Sequence, residues 1–256
     1  MEYNLKKYLK KALIYTLAIV LMVVAWHVVY KIVANDYVVP SPWETFSKLD
    51  DVWNNSKFWV AYGNTMLRSV ISFAISFIAA FVLAVLAKKS NFIRELLVPG
   101  LSVLRSIPTM AVVLMLLVWL TPKAAPIAVT LMVILPMLYT SILSAFDQVD
   151  GELISMCKVY KISWIRRVFG VYLPISGAYL TAESGAALSF SVKLMVSAEV
   201  LSNTYKSLGG MISQSKVYMD MPEMLALTLF AVATGMIIEL LFKLLERVLF
   251  KWRVYD

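Results

Sequence analysis

Six long apolar stretches, separated by shorter polar segments, organise the chain and predict its secondary structure. They cover about residues 13–33, 65–87, 98–120, 124–146, 175–201 and 224–245. Apolar runs of this length are typical of membrane-spanning helices, and a lone span in lipid must be helical to satisfy its backbone. The pattern predicts an all-α integral membrane protein, with six transmembrane helices in a single domain over residues 1–256.

A short amphipathic segment follows the first span. After the turn at Val39–Pro42, the residues Trp43, Phe46, Leu49 and Trp53 recur at helical spacing. We expect a short helix on the outer membrane surface, with its tryptophans at the level of the lipid headgroups.

Two prolines lie within predicted spans. Pro108 follows Arg105-Ser106-Ile107 in the third span, and Pro136 lies in the fourth. Proline frees a backbone carbonyl and bends a helix, so both spans are expected to be kinked.

The basic residues orient the spans. With the N-terminus inside, the inner segments carry 16 Lys and Arg and the outer segments carry 7, with Lys193 inside a span. Positive residues accumulate on the cytoplasmic side of membrane proteins, so both termini are predicted to be cytoplasmic. The same distribution explains the net charge of +8 and argues against a nucleic-acid partner.

Composition supports a lipid environment and excludes several chemistries. The chain is 61% hydrophobic and 16% charged, whereas soluble domains have about 45–50% apolar residues. Cys157 is the single cysteine, which excludes an internal disulfide and a cysteine-rich metal site. The single histidine, His27, is either a functional group or, more simply, a polar contact in the first span. We expect no metal site and no catalytic residue.

The polar segment 149–174 is the largest charged interruption in the chain. Its first part, Glu152–Tyr160, predicts a short helix with Leu153, Met156 and Val159 or Tyr160 on one apolar face. Such a face on the cytoplasmic side fits either a groove on a partner protein or the lipid surface, and the residues alone leave both open.

The spacing inside this segment resembles the permease subunits of binding-protein-dependent ABC importers. Their loop reads E-A-A, three residues, G, nine residues, I-x-L-P, and here the corresponding places hold Ser155, Met156, Cys157, then Lys161, then Val171, Leu173 and Pro174. Four other segments resemble the branch that imports nitrate, sulfonates and taurine. They are Val38–Pro42, Arg105–Pro108, Ser197–Glu199 and Leu208–Gly210.

The resemblance implies a type I importer permease fold, in which a coupling helix lies between the fourth and fifth spans. The residues that would contact an ATPase are Glu152, Leu153, Ser155, Met156, Cys157, Val159, Tyr160, Lys161 and Ile162. The family's glycine allows a bend between two short helices, and Lys161 can adopt that bend only at some cost.

The resemblance also implies partners and a location. These are two ABC ATPase subunits, a second permease that is either a copy of this chain or a related one, and an extracellular binding protein, in a prokaryotic cytoplasmic (inner) membrane. The chain has no G-x-x-x-x-G-K-[ST] phosphate loop, so ATP and Mg²⁺ would bind to the separate ATPase subunits, and no cofactor is expected on this chain.

The fifth span carries charges that lipid would not tolerate. Ser189, Lys193 and Glu199 are candidates to line the translocation path, with Lys193 attracting an anionic substrate. The alternatives for Lys193 are an ion pair with Glu199 or Glu183, or a side chain that reaches the outer interface.

These features predict the membrane subunit of an ATP-driven importer, and an anion such as a sulfonate is the first candidate substrate. Alternatives are an importer of a vitamin or pyrimidine precursor and a self-contained channel or ion-coupled carrier, which would use acids and broken helices within the membrane. An intramembrane enzyme lacks the paired catalytic residues that it would need.

Overall fold

The computed structural model describes residues 2–251, with side-chain surroundings for residues 13–251. Over this part of the chain the structure is helical and contains no strand. Five helices are long and apolar enough to cross a membrane, and they cover the first, second, fourth, fifth and sixth predicted spans. They are α1 (Glu2–Val33), α3 (Ser56–Lys89), α6 (Ala125–Asp147), α9 (Leu173–Ser202) and α11 (Met221–Leu249).

The third predicted span, 98–120, is broken at Pro108, where a kink was expected. The chain forms two helices there, α4 (Asn91–Ser106) and α5 (Thr109–Trp119). Their axes differ by 94° because Pro108 lacks a backbone N–H and holds Ile107 before it in an extended conformation. Pro136, by contrast, lies inside the continuous helix α6. Counted as one broken span, α4 and α5 bring the candidate spans to six.

Four shorter helices complete the described fold. They are α2 (Pro42–Trp53), α7 (Gly151–Val159), α8 (Trp164–Arg167) and α10 (Leu208–Val217). α2 confirms the helix expected after the two prolines. The Ser41 hydroxyl accepts a hydrogen bond from the Glu44 N–H at 3.1 Å, and Pro42 occupies the first turn, where no N–H is needed. α2 packs against α11 and leaves Trp43 exposed, while its depth in the membrane stays a prediction.

A line of small side chains on α3 allows it to pack closely against α6 and α9. Buried serines and alanines recur about every fourth residue from Ser69 to Ala87. Ser76 Oγ donates to the Leu131 carbonyl at 3.4 Å, and Ser191 Oγ of α9 donates to the Ser69 carbonyl at 3.1 Å. Small residues and hydroxyls at such contacts bring membrane helices together. α9 consequently contacts α3, α6 and α11 along its length.

The C-terminal end of α9, which the distribution of basic residues predicts to be the outer end, holds a completely buried carboxylate. Glu199 has no exposed surface, and its Oε1 accepts a hydrogen bond from Arg68 Nη1 of α3 at 2.7 Å. Its Oε2 accepts one from the Thr65 hydroxyl at 2.8 Å and one from the Gly209 N–H at 3.3 Å. We call Glu199, Arg68, Thr65 and Gly209 the outer clamp, because together they connect α9, α3 and the first turn of α10.

Two adjacent glycines make the outer clamp sterically feasible. A Cβ on Gly209 would lie 2.5 Å from the Glu199 Cβ, and a Cβ on Gly210 would lie 2.1 Å from the Thr204 carbonyl oxygen. Both distances are far below van der Waals contact, so no other residue fits without a backbone shift. Two of the segments that resemble importer permeases, around Glu199 and around Gly209, therefore meet at one buried point.

We predict that removing the cation of the outer clamp strongly destabilises the fold. Arg68→Met leaves the Glu199 carboxylate buried without its charge partner, which costs about 3–5 kcal/mol. The midpoint of thermal unfolding in detergent, followed by tryptophan fluorescence, should fall by about 10 °C. The control is Lys48→Met, which removes a partly exposed lysine that lies 3.7 Å from Asp51 and 3.8 Å from Asp220, and it should change the midpoint little. Equal shifts for the two variants would contradict the structural role of the outer clamp.

Candidate functional site

The polar segment 149–174 follows directly on an anchored carboxylate. Asp147, the last residue of α6, accepts hydrogen bonds from Lys88 Nζ at 2.6 Å and from Arg94 Nη2 at 2.8 Å. Lys88 lies in the last turn of α3, and Arg94 lies in the first turn of α4. The segment therefore begins where ion pairs hold the ends of α3, α4 and α6 together.

α7, the first helix of the segment, buries one face against the body. Asp150 caps the helix by accepting a hydrogen bond from the Glu152 N–H at 2.8 Å. Cys157 is buried, and Leu153 and Ile154 pack partly buried against the main core. These contacts fix the orientation of α7 and decide which side chains remain accessible.

Three apolar side chains at the C-terminal end of α7 remain accessible. They are Met156, Val159 and Tyr160, with 53%, 78% and 74% of their surfaces exposed. We call these three residues the α7 patch. The sequence placed Leu153 on one face with these residues, which the structure corrects, because Leu153 shares the buried face with Cys157. Glu152, Ser155 and Lys161 are also exposed, and Ile162 is about one third exposed.

Lys161 forms the bend that ends α7. Its φ is +54°, the left-handed conformation that glycine adopts most easily. The Ile162 N–H donates to the Cys157 carbonyl, and the Lys161 N–H donates to the Lys158 carbonyl, both at 3.0 Å. This pair of bonds is the Schellman motif, in which the left-handed residue is usually glycine. The bend expected at the glycine place of the loop is therefore formed here by lysine.

Aromatic side chains attach the second half of the segment to the body. The Tyr172 ring lies 5.3 Å from that of Phe146 and 5.8 Å from that of Trp164, with the Arg167 guanidinium 5.1 Å from the Trp164 ring. Tyr172 ends a π-helical turn that begins at Val168, and both residues are buried. This cluster fixes where the chain enters α9.

The motif end lies where the sequence predicts the entry into the fifth span. Val171 belongs to the π-helical turn, α9 begins at Leu173, and Pro174 occupies its first turn. A proline there needs no N–H, as expected.

The three candidate path residues lie in different surroundings. Ser189 is buried where α9 meets α11, and a Cβ on Gly235 would lie 2.8 Å from its hydroxyl. Glu199 is enclosed in the outer clamp. Lys193 alone of the three is exposed, with about half of its side chain accessible.

The partner of Lys193 differs from both acids that the sequence suggested. Its Nζ lies 3.7 Å from Glu239 Oε1 on α11, whereas Glu183 accepts a hydrogen bond from the Ser141 hydroxyl and Glu199 binds Arg68. Sequence reasoning missed Glu239, although an acid inside the last apolar stretch was a usable signal.

A groove opens beside the exposed stripe of α9. Successive turns of α9 expose Ala186, Phe190, Lys193 and Ser197 along one line. At the outer end of this line the groove has a volume of about 490 Å³. It is lined mainly by apolar side chains and by the hydroxyls of Thr109 on α5, Ser197 on α9 and Thr228 on α11.

Comparison of the sequence with known families gives a match over most of the chain. Residues 74–253 match the sequence profile described as "Binding-protein-dependent transport system inner membrane component". The matched region is more than two thirds of the chain and contains the whole segment 149–174. Comparison with curated protein sequences gives no match.

Solved structures with the same fold include two of a bacterial alginate transporter. A structure of a bacterial ABC transporter involved in the import of the acidic polysaccharide alginate matches with a TM-score of 0.67 and 13% identity, covering 96% of this chain and 99% of that one. A bacterial alginate ABC transporter in complex with an alginate pentasaccharide-bound periplasmic protein matches with a TM-score of 0.66 and 14% identity, covering 95% and 97%. At these identities the likeness shows the fold, which is that of a type I ABC permease.

We predict that glycine at the bend stabilises the protein. Lys161→Gly removes the steric cost of a positive φ and should raise stability by up to about 1 kcal/mol, or about 2 °C in the unfolding midpoint. The matched control is Lys158→Gly, three residues earlier within α7, which should lower the midpoint because glycine weakens a helix. A decrease in both variants would show that the bend is not strained.

Proposed function

Because the chain belongs to the family of binding-protein-dependent transport system inner membrane components, we propose that the α7 patch receives the movement of an ATPase subunit. The chain is a permease subunit of a binding-protein-dependent ABC importer, and the permease is not itself catalytic. Transport therefore needs energy from another subunit, and the permease needs a surface that contacts that subunit.

The observation that carries the proposal is the exposed apolar α7 patch on a firmly attached segment. Met156, Val159 and Tyr160 are exposed, while the ion pairs of Asp147 and the aromatic contacts of Tyr172 hold both ends of the segment. A short helix with an accessible apolar face fits a groove on a partner protein. Because the segment is attached at both ends, a displacement of α7 would be transmitted to α6 and α9.

The proposed assembly contains two ABC ATPase subunits, a second permease and an extracellular binding protein. ATP and Mg²⁺ bind to the ATPase subunits, because this chain has no phosphate loop. Hydrolysis and rebinding of ATP alternate the two ATPase subunits between closed and open arrangements, and α7 passes this movement to the membrane helices. Family membership favours this multi-component system over a self-contained channel.

The exposed stripe of α9 is the proposed lining of the translocation path. Lys193 and Glu239 lie within apolar helices with about half of each side chain accessible. Charged groups within membrane-spanning helices require a protein or aqueous surrounding. The proposed cargo is a small solute, with an anion as the first candidate. The alginate of the matched structures is not transferred to this chain, since 13% identity supports the fold alone.

We predict that charging the α7 patch separates the permease from its ATPase subunits. Val159→Asp, alone or with Met156→Asp, places a carboxylate in an apolar contact, and the ATPase subunits should no longer co-purify with the permease. The matched control is Val217→Asp on α10, because Val217 is 75% exposed, close to the 78% of Val159, but lies at the opposite end of the fold. If Val159→Asp retains the ATPase subunits and transport, the α7 patch is not the coupling surface.

We predict that Lys193 acts in transport rather than in assembly. In proteoliposomes containing the complete importer, Lys193→Met should reduce ATP-driven uptake, because an apolar side chain replaces the cation on the proposed path. Lys193→Arg keeps the charge and should retain most of the uptake, and both variants should retain the ATPase subunits. Uptake by Lys193→Met at the unaltered rate would remove Lys193 from the path.

A further inference from the structure

Arg105 is a cation near the centre of the membrane domain without a carboxylate partner. Its Nη2 donates to the Pro136 carbonyl at 2.8 Å and to the Thr140 hydroxyl at 2.9 Å. Pro136 lies eleven residues from each end of α6 (Ala125–Asp147), which places this contact at about half the depth of the helix. Both acceptors are neutral, so the positive charge is oriented but not compensated.

Two other basic groups on the long helices are each paired with an acid. Arg68 binds Glu199 at 2.7 Å, and Lys193 lies 3.7 Å from Glu239. Among the residues that the structure describes, no carboxylate lies within ion-pair distance of Arg105, although Glu183 binds Ser141, the residue next to Thr140. Arg105 is thus held by neutral acceptors alone, unlike Arg68 and Lys193.

Arg105 lies close in sequence to two residues that line the groove. It lies three residues before Pro108, where α4 ends and the chain turns by 94° into α5. Thr109 and Met110, in the first turn of α5, line the groove. Solute sites in transporters commonly lie where helices are broken near the middle of the membrane. Arg105 is also exposed, so its remaining N–H groups are accessible.

We infer that Arg105 is an anion-binding residue of the translocation path, and that it attracts the negatively charged group of a small solute toward the inner end of the groove. The inference rests on the proposed function, because it requires the groove to face an aqueous path. Arg105 serves this role better than Lys193, whose charge is already offset by Glu239. The two bonds to α6 hold the guanidinium in place before the anion arrives, which lowers the entropic cost of binding.

The test compares how fast charged thiol reagents reach the groove in the assembled importer. Met110→Cys, in proteoliposomes, is treated with anionic 2-sulfonatoethyl methanethiosulfonate or with cationic 2-(trimethylammonium)ethyl methanethiosulfonate. Modification of this chain is followed by intact mass, with the unsubstituted chain and its buried Cys157 as the blank. The same measurement is made with Arg105→Gln and with Arg105→Lys added.

The expected result is a change in the ratio of the two rates. The anionic-to-cationic ratio should fall by about fivefold at low ionic strength with Arg105→Gln and should be largely retained with Arg105→Lys, which keeps the charge. Adding Lys193→Gln instead should change the ratio less, because that lysine is paired.

Two other results would overturn the inference in distinguishable ways. If both reagents modify Met110→Cys but Arg105→Gln leaves the ratio unchanged or raises it, the groove is aqueous and Arg105 does not select anions, so the proposed function stands without this inference. If neither reagent modifies Met110→Cys from either side of the membrane, the groove is closed to water, and the proposed path is wrong as well.

Discussion

The buried carboxylate of Glu199 is the constraint on which the outer half of the fold depends. A charge in a low-dielectric interior is tolerated only when it is paired and fully hydrogen-bonded. Arg68 supplies the opposite charge, and the Thr65 hydroxyl and the Gly209 N–H supply the remaining donors. Because the donors come from α3 and α10, both helices must lie against this end of α9 for the carboxylate to keep all its partners.

The outer clamp also explains why small residues occupy the neighbouring positions. Gly209 approaches Glu199 so closely that a Cβ would overlap it, and the serines of α3 let α9 come near enough for Arg68 to reach the carboxylate. A larger side chain at either place would separate the charges and leave Glu199 buried and alone. Close packing lets Arg68 reach Glu199, and the ion pair in turn allows Glu199 to be buried. The packing and the ion pair therefore depend on each other.

The sequence predicts those features that depend on neighbours along the chain. Apolar run length gives the spans, Pro174 gives the start of α9, and the family spacing gives the bend at Lys161. Features set by contacts distant in sequence could not be predicted. A proline predicts a kink but not the 94° between α4 and α5, and no local pattern joins Arg68 to a glutamate 131 residues away. The buried side of α7 is likewise decided by the core that it meets.

Helix α9 links the two ends of the molecule. It has 30 residues and a length of about 45 Å, and it is held at its inner end by the Tyr172 cluster and at its outer end by Glu199. A closely packed helix held in this way moves as a unit rather than bending, since packed interiors transmit strain. If ATPase subunits push on α7, the displacement must therefore reach the outer clamp through α9. The exposed stripe with Lys193 lies between these two ends, so the same movement would change access to the proposed path from both sides.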